Sequence, residues 1–269
     1  MTLSRFSLNQ ATTKRWPMDQ LAAGCVAQGV SAVGLWRDNV ADYGLERTAK
    51  LLRDAGLRVT SLCRGGFFCD AGWFDDNRRA IDEAAALGAP VLVLVSGGLP
   101  EGSRDIDAAR RQVSESIGAL VPHAREAGVR LAIEPLHPMF ASDRCVVSTL
   151  GNALDLAAPH PVDAVGVCVD TYHLWWDERI WTLIERAGRE ERIACFQVAD
   201  WITPLPEGVL LGRALPGEGC VELRRFREAV DAAGYAGPVE VEVFHADVWD
   251  RPGAEVLAEA LAGYRTHVV

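Results

Sequence analysis

The chain has 269 residues, 49% hydrophobic and 24% charged, which is enough to bury one large core as a single domain over residues 1–269. Acidic residues outnumber basic ones 37 to 27, a net charge of −10 with no basic run or aromatic-basic patch. That balance excludes nucleic acid and an anionic membrane as main partners. Seven scattered cysteines form no CxxC pair, and no signal-peptide pattern or membrane-length apolar run is present, so a cytoplasmic location is expected. Lysine occurs only as Lys14, in a loop, and Lys50, on an amphipathic helix, which leaves poor options for Schiff-base chemistry.

Strand and helix signals alternate eight times. Strands are expected at Phe6–Ala11, Ala32–Trp36, Arg58–Cys63, Val91–Ser96, Val129–Glu134, Ala164–Asp170, Ile193–Ala199 and Val239–Phe244. Helical patterns follow them at Pro17–Gln28, Leu45–Ala55, Asp75–Leu87, Ile106–Ala127, Thr149–Ala157, Glu178–Ala187, Glu222–Ala233 and Gly253–Gly263. Gly56, Gly88, Gly128 and Gly234 stand where helices end, the place for a left-handed cap residue. Eight βα units in this length point to a closed (β/α)8 TIM barrel. No GxGxxG follows the first strand, so a dinucleotide-binding sheet lacks its phosphate loop.

In such a barrel the reactive face lies at the C-terminal strand ends. Glu134, Asp170, Gln197 and Glu242 end the fifth to eighth strands, each after an apolar run. Neighbouring strands sit about 4.8 Å apart, so four such side chains can converge. Small residues, Ala132, Cys168 and Cys195, lie beneath the first three. Three gathered carboxylates repel one another unless a cation neutralises them. With an amide oxygen they make a hard, all-oxygen set suited to one divalent ion, Mg²⁺ or Mn²⁺ before Zn²⁺ or Co²⁺. A lone acid of this kind reads as a helix cap or loop carboxylate; four in register do not. Glu240 shares the inward face one layer deeper and has no place in this ligand set; an arginine partner is one reading of it.

Three further signals flank the acids. His173 follows Asp170 by three on the rim, although a single histidine is more often structural. Trp175 and Trp176 read first as helix packing and second as a wall for a sugar face. The long loop after the seventh strand carries Arg213, suited to a substrate oxygen or phosphate or else to a salt bridge between loops, beside the turn-forming Pro216-Gly-Glu-Gly.

These motifs, Glu134-Pro-Leu-His137, Asp170-x-x-His173, Gln197-Val-Ala-Asp200, Arg213 with Pro-Gly-Glu-Gly, and Gly234-Tyr-Ala-Gly-x-Val-x-x-Glu242, resemble the sugar isomerase/epimerase superfamily on the xylose isomerase-like TIM barrel. The resemblance runs from the first strand to the eighth. It implies that Glu134, Asp170, Gln197 and Glu242 bind one divalent metal. It also makes Glu134 and Glu242 the catalytic acid/base pair on opposite faces of a sugar-like substrate. His173, Arg213, His137 and Trp176 would then contact that substrate. Many members carry histidine where this chain has Gln197. Pairing as homodimers or homotetramers is implied too, with the loop Phe67–Trp73 as a cover or an interface.

The chemistry so implied is proton abstraction beside a carbonyl through a metal-stabilised enediolate, giving isomerisation or epimerisation. A lyase of inosose-dehydratase or deglycosidase type would share the first step and expel a β leaving group. A phosphoesterase like the DNA-repair endonucleases of this fold needs a histidine-rich cluster and a surface that attracts DNA. Six histidines, with His123 and His267 in helical or tail segments, and the charge of −10 disfavour it. A non-catalytic partner subunit is disfavoured by the intact acid spacing.

Overall fold

The computed structural model describes residues 3–206 and 209–269. Eight parallel strands close into a barrel: β1 (Phe6–Asn9), β2 (Ala32–Trp36), β3 (Arg58–Gly66), β4 (Val91–Val95), β5 (Arg130–Ile133), β6 (Val165–Asp170), β7 (Ile193–Val198) and β8 (Val239–Val241). Each pairs with its neighbours in sequence, and β8 closes onto β1 through Phe6–Val239 and Leu8–Val241. This is the (β/α)8 architecture that the alternating pattern implies.

Strand β4 shows how the barrel sorts its residues. All five positions are buried. Val91 and Val93 join Cys63, Ala132, Cys168 and Cys195 in a small cluster inside the barrel, while Leu92 and Leu94 pack outward into the main core under the helices. The twofold period of a strand divides one apolar run between two cores. Small side chains within the barrel leave space for polar layers above and below them.

Helices Ile106–Ala127 and Gly253–Gly263 have the bounds read from the sequence. The first ends on Gly128, at φ 68°, where a left-handed residue returns its N–H to Ala124 and Arg125. Three features depart from the reading. A helix at Arg37–Tyr43 follows β2 directly, separated from helix Leu45–Asp54 by Gly44 at φ 96°. Strand β8 leaves the ladder after Val241, since Val243 N–H donates to the Thr12 hydroxyl (3.0 Å) instead of to a strand. An antiparallel pair, Asp200–Trp201 with Arg213–Ala214, turns the loop after β7 back over the barrel mouth. Among the described residues, no helix is long and apolar enough to cross a membrane.

Candidate active site

The C-terminal ends of β5, β6 and β8 bring three buried carboxylates together. Glu134 follows β5, with its N–H on the Leu94 carbonyl (3.0 Å); Asp170 ends β6; Glu242 follows β8, with its N–H on the Val198 carbonyl (3.1 Å). Asp170 is fixed from both sides. Its Oδ1 accepts from Tyr172 N–H (2.8 Å), capping the turn Thr171–Leu174, and its Oδ2 accepts from Arg213 Nη1 (2.8 Å).

Arg213 is the cation of this cluster. The same Nη1 lies 3.1 Å from Glu242 Oε2, and Nη2 lies 3.1 Å from His173 Nε2. Its planar head is held between the Tyr172 and Phe244 rings, 4.9 and 5.2 Å from their centroids. Burial opposes its charge, but Asp170, Glu242 and Glu134 outweigh that and raise its pKa. Asp200 poises the arginine from behind: its carboxylate accepts from Trp201, Gly217 and Val221 N–H groups and so ties the Pro216–Gly217 turn to the ribbon. Sequence reasoning gave Asp200 no role of its own, although its place three after Gln197 was a signal.

One guanidinium does not balance three carboxylates. Oε1 of Glu134 and Oε1 of Glu242 are buried and accept no hydrogen bond from the described residues. Burial and the adjacent Asp170 and Glu242 raise the Glu134 pKa well above its usual range. Burial likewise raises that of Glu242 to about 8; Arg213 lowers it, and Asp170 and Glu240 add to the rise. Two orphaned oxygens in a net-negative cluster are what a divalent cation would satisfy. Glu134, Asp170 and His173 offer ligand atoms within 4.8 Å of one another, a group that could hold a metal ion.

The His173 ring is buried, and burial followed by Arg213 holds its pKa well below the usual histidine value, so it is neutral. Its Nδ1 accepts from His137 N–H at 3.2 Å, and its Nε2 lies 3.1 Å from Arg213 Nη2, so the ring is held at both nitrogens.

Gln197, expected beside the other ligands, is tied one layer lower. Its Nε2 donates to Glu240 Oε1 (3.0 Å), and its Oε1 accepts from Cys168 Sγ (3.3 Å). Among the described residues Glu240 pairs with no arginine. Its carboxylate accepts from Asn9 Nδ2 (2.7 Å), Thr60 Oγ1 (2.6 Å), Ser61 Oγ (2.9 Å) and Gln197, joining β1, β3, β7 and β8. Gly34 on β2 makes room for it: a Cβ there would come within 2.4 Å of the Glu240 carboxyl.

A cavity of about 890 Å³ opens above the acids. Glu134, Glu242, His173 and Arg213 line it, and its aromatic walls are Trp36, Phe67, Phe244 and Trp249. His137 and Trp176 do not reach it. The His137 ring lies against Trp201 and Trp176 (centroids 5.2 and 5.5 Å), and Trp176 Nε1 donates to the His173 carbonyl (2.8 Å), so both support His173 from behind.

Comparison with known proteins fits this geometry. The solved structure of protein SMc04130 from Sinorhizobium meliloti 1021 is 46% identical over 99% of both chains, with a TM-score of 0.95. A structure of the IolI protein with a bound zinc atom is 18% identical over 98% of both chains, with a TM-score of 0.83. An inosose isomerase from Halalkalibacterium halodurans is 26% identical over 140 residues, so the chain spans about half of that relative's length (51% of this chain, 47% of the relative). The family whose sequence model covers residues 22–267 is the xylose isomerase-like TIM barrel, and this chain belongs to it.

Proposed function

We propose that the chain is a divalent-metal-dependent isomerase or epimerase of a sugar-like substrate, moving a proton at the carbon next to a carbonyl. The observation that carries this reading is the pair of buried, unpartnered carboxylate oxygens, Glu134 Oε1 and Glu242 Oε1, each with a raised pKa, facing one cavity. A base useful near neutral pH needs a pKa in that region, and burial among like charges is how a carboxylate reaches it.

The donor set fits a resident divalent ion. Glu134, Asp170 and Glu242 would hold it, and Gln197 would join only by leaving Glu240. A zinc atom bound by the IolI protein, a neighbour in fold, is consistent with this. When bound, the ion would polarise the substrate carbonyl. His173 suits a substrate oxygen better than the ion, because the Arg213 guanidinium lies 3.1 Å from its Nε2. Glu242, beside Arg213, is more readily ionised than Glu134 and takes the proton from carbon on Oε1. Glu134, the more readily protonated, returns one. Arg213 and His173 donate to the oxygen that gains negative charge as the enediolate forms.

Glu242→Gln tests the assignment. It keeps the shape but removes the base and one charged ligand, so at saturating Mn²⁺ turnover should fall about 10²–10⁴-fold while the circular dichroism spectrum is retained. Near-full activity in that variant would overturn it. Analysis of the product separates isomer or epimer from a dehydrated compound.

A further inference from the structure

The same cavity holds cations that the proton transfer does not use. Arg64, within β3, and Arg144, in the segment between β5 and β6, both line it with Glu134, Glu242 and His173. Both are half-buried. Every other buried or half-buried arginine among the described residues donates to a carboxylate or a carbonyl. Arg37, on the same wall, is taken up by Glu83 (2.6 Å) and Asp76 (2.9 Å), and Arg5 by Asp231 (2.6 Å). Arg130 and Arg192 donate to backbone oxygens. No hydrogen bond or ion pair is formed by the guanidinium of Arg64 or of Arg144 among the described residues.

The two are also near enough to disfavour each other. Burial lowers the Arg64 pKa, and Arg144 lowers it further; Arg144 also contributes to the lowering at His173. Asp38 opposes this at Arg64, but it is exposed and within ion-pair distance of neither arginine. Arg64 stacks 3.8 Å above the Phe67 ring, which leaves the edge of its guanidinium open. Phe67 adopts φ 50°, an uncommon conformation for a bulky side chain, with its N–H on the Val95 carbonyl (2.7 Å). A backbone held in that state to place a ring beneath an unpaired arginine fits a binding wall better than a passive surface. Lys14, over the Trp249 ring at 4.4 Å, is a further cation on the same lining.

We propose that Arg64 and Arg144 form an oxyanion subsite, so that the sugar-like substrate carries a carboxylate or phosphate. This rests on the proton-transfer reading of the same cavity and narrows its substrate class. A planar guanidinium matches either group through paired N–H donors, and one oxyanion placed between them would relieve their repulsion.

The test is calorimetric titration in saturating Mn²⁺ with three ketoses: neutral D-ribulose, D-ribulose 5-phosphate and the sugar acid 2-keto-D-gluconate. At least one anionic ketose should bind about tenfold or more tightly than ribulose, and the tighter of the two identifies phosphate or carboxylate. R64Q and R144Q should each weaken that anion about tenfold and leave ribulose within about twofold. R64K should retain part of the preference, and thermal melts confirm that each variant is folded. Equal affinity for all three ketoses, no binding of either anion, or an equal loss for all three in R64Q would overturn the subsite. Deuterium uptake by any of the three ketoses in the same samples reports on the parent reading separately. Uptake without an anion preference removes only the subsite. An anion preference lost in R64Q, without uptake, removes only the proton-transfer reading.

Discussion

Two glutamates two residues apart, Glu240 and Glu242, face the inside of the same barrel and are solved in opposite ways. Glu240 is saturated by neutral donors from Asn9, Thr60, Ser61 and Gln197. Glu242 keeps one oxygen without a partner, and its pKa is pushed up to about 8. A buried carboxylate surrounded by donors stabilises the fold around it; one left among its own kind is available to a cation or a substrate. The layers therefore separate stability from chemistry within one strand.

Substitution should expose the difference. Glu242→Gln has its large effect on rate, as above, and should leave metal-free stability at neutral pH unchanged or raise it by about 1 kcal/mol or more, because no carboxyl then has to take up a proton on folding. Glu240→Ala should do the reverse to stability, costing about 3–5 kcal/mol in denaturant unfolding, since four donors lose their acceptor in the barrel interior. If both variants lost stability alike, the contrast would fail.

A smaller effect is expected at Gly34. The added methyl of Gly34→Ala meets the Glu240 carboxyl, and the displacement should cost about 1–3 kcal/mol. Metal affinity should fall less than stability, because the change strikes the lower layer.

The mildest test is the pH dependence of the metal-free protein. Glu242 titrates near 8 when folded and near its ordinary 4.5 when unfolded. Between those values the folded state holds the extra proton, so stability falls as pH rises and levels off above about 8. Glu242→Gln should flatten that slope.

Much of the upper layer was legible in the sequence because it depends on local pattern. An apolar run ending in an acid, as at Glu134 and Asp170, fixes strand, face and height together, and both stand at strand ends beside Glu242. What lay beyond reach depended on long-range pairing. Gln197 ends a strand as its neighbours do, yet it is drawn down by Glu240, whose other donors come from β1 and β3. The ribbon that delivers Arg213 to Asp170 pairs residues 200–201 with 213–214 across an irregular loop. Arg64 and Arg144 are 80 positions apart on segments without periodicity, so only the folded chain shows them on one cavity. His137 and Trp176 were read as reaching the substrate side; their rings turn to Trp201 and to each other instead.

The most direct test of the central claim is exchange with solvent deuterium. Metal-stripped protein is incubated in D₂O with ketoses, ketose phosphates, inososes and hydroxypyruvate, with and without Mn²⁺ or Mg²⁺, and followed by proton NMR. The account requires metal-dependent loss of a signal at the carbon next to the carbonyl in at least one compound, absent in Glu242→Gln. Bound metal with no exchange in any of them, or exchange that persists in Glu242→Gln, would contradict it.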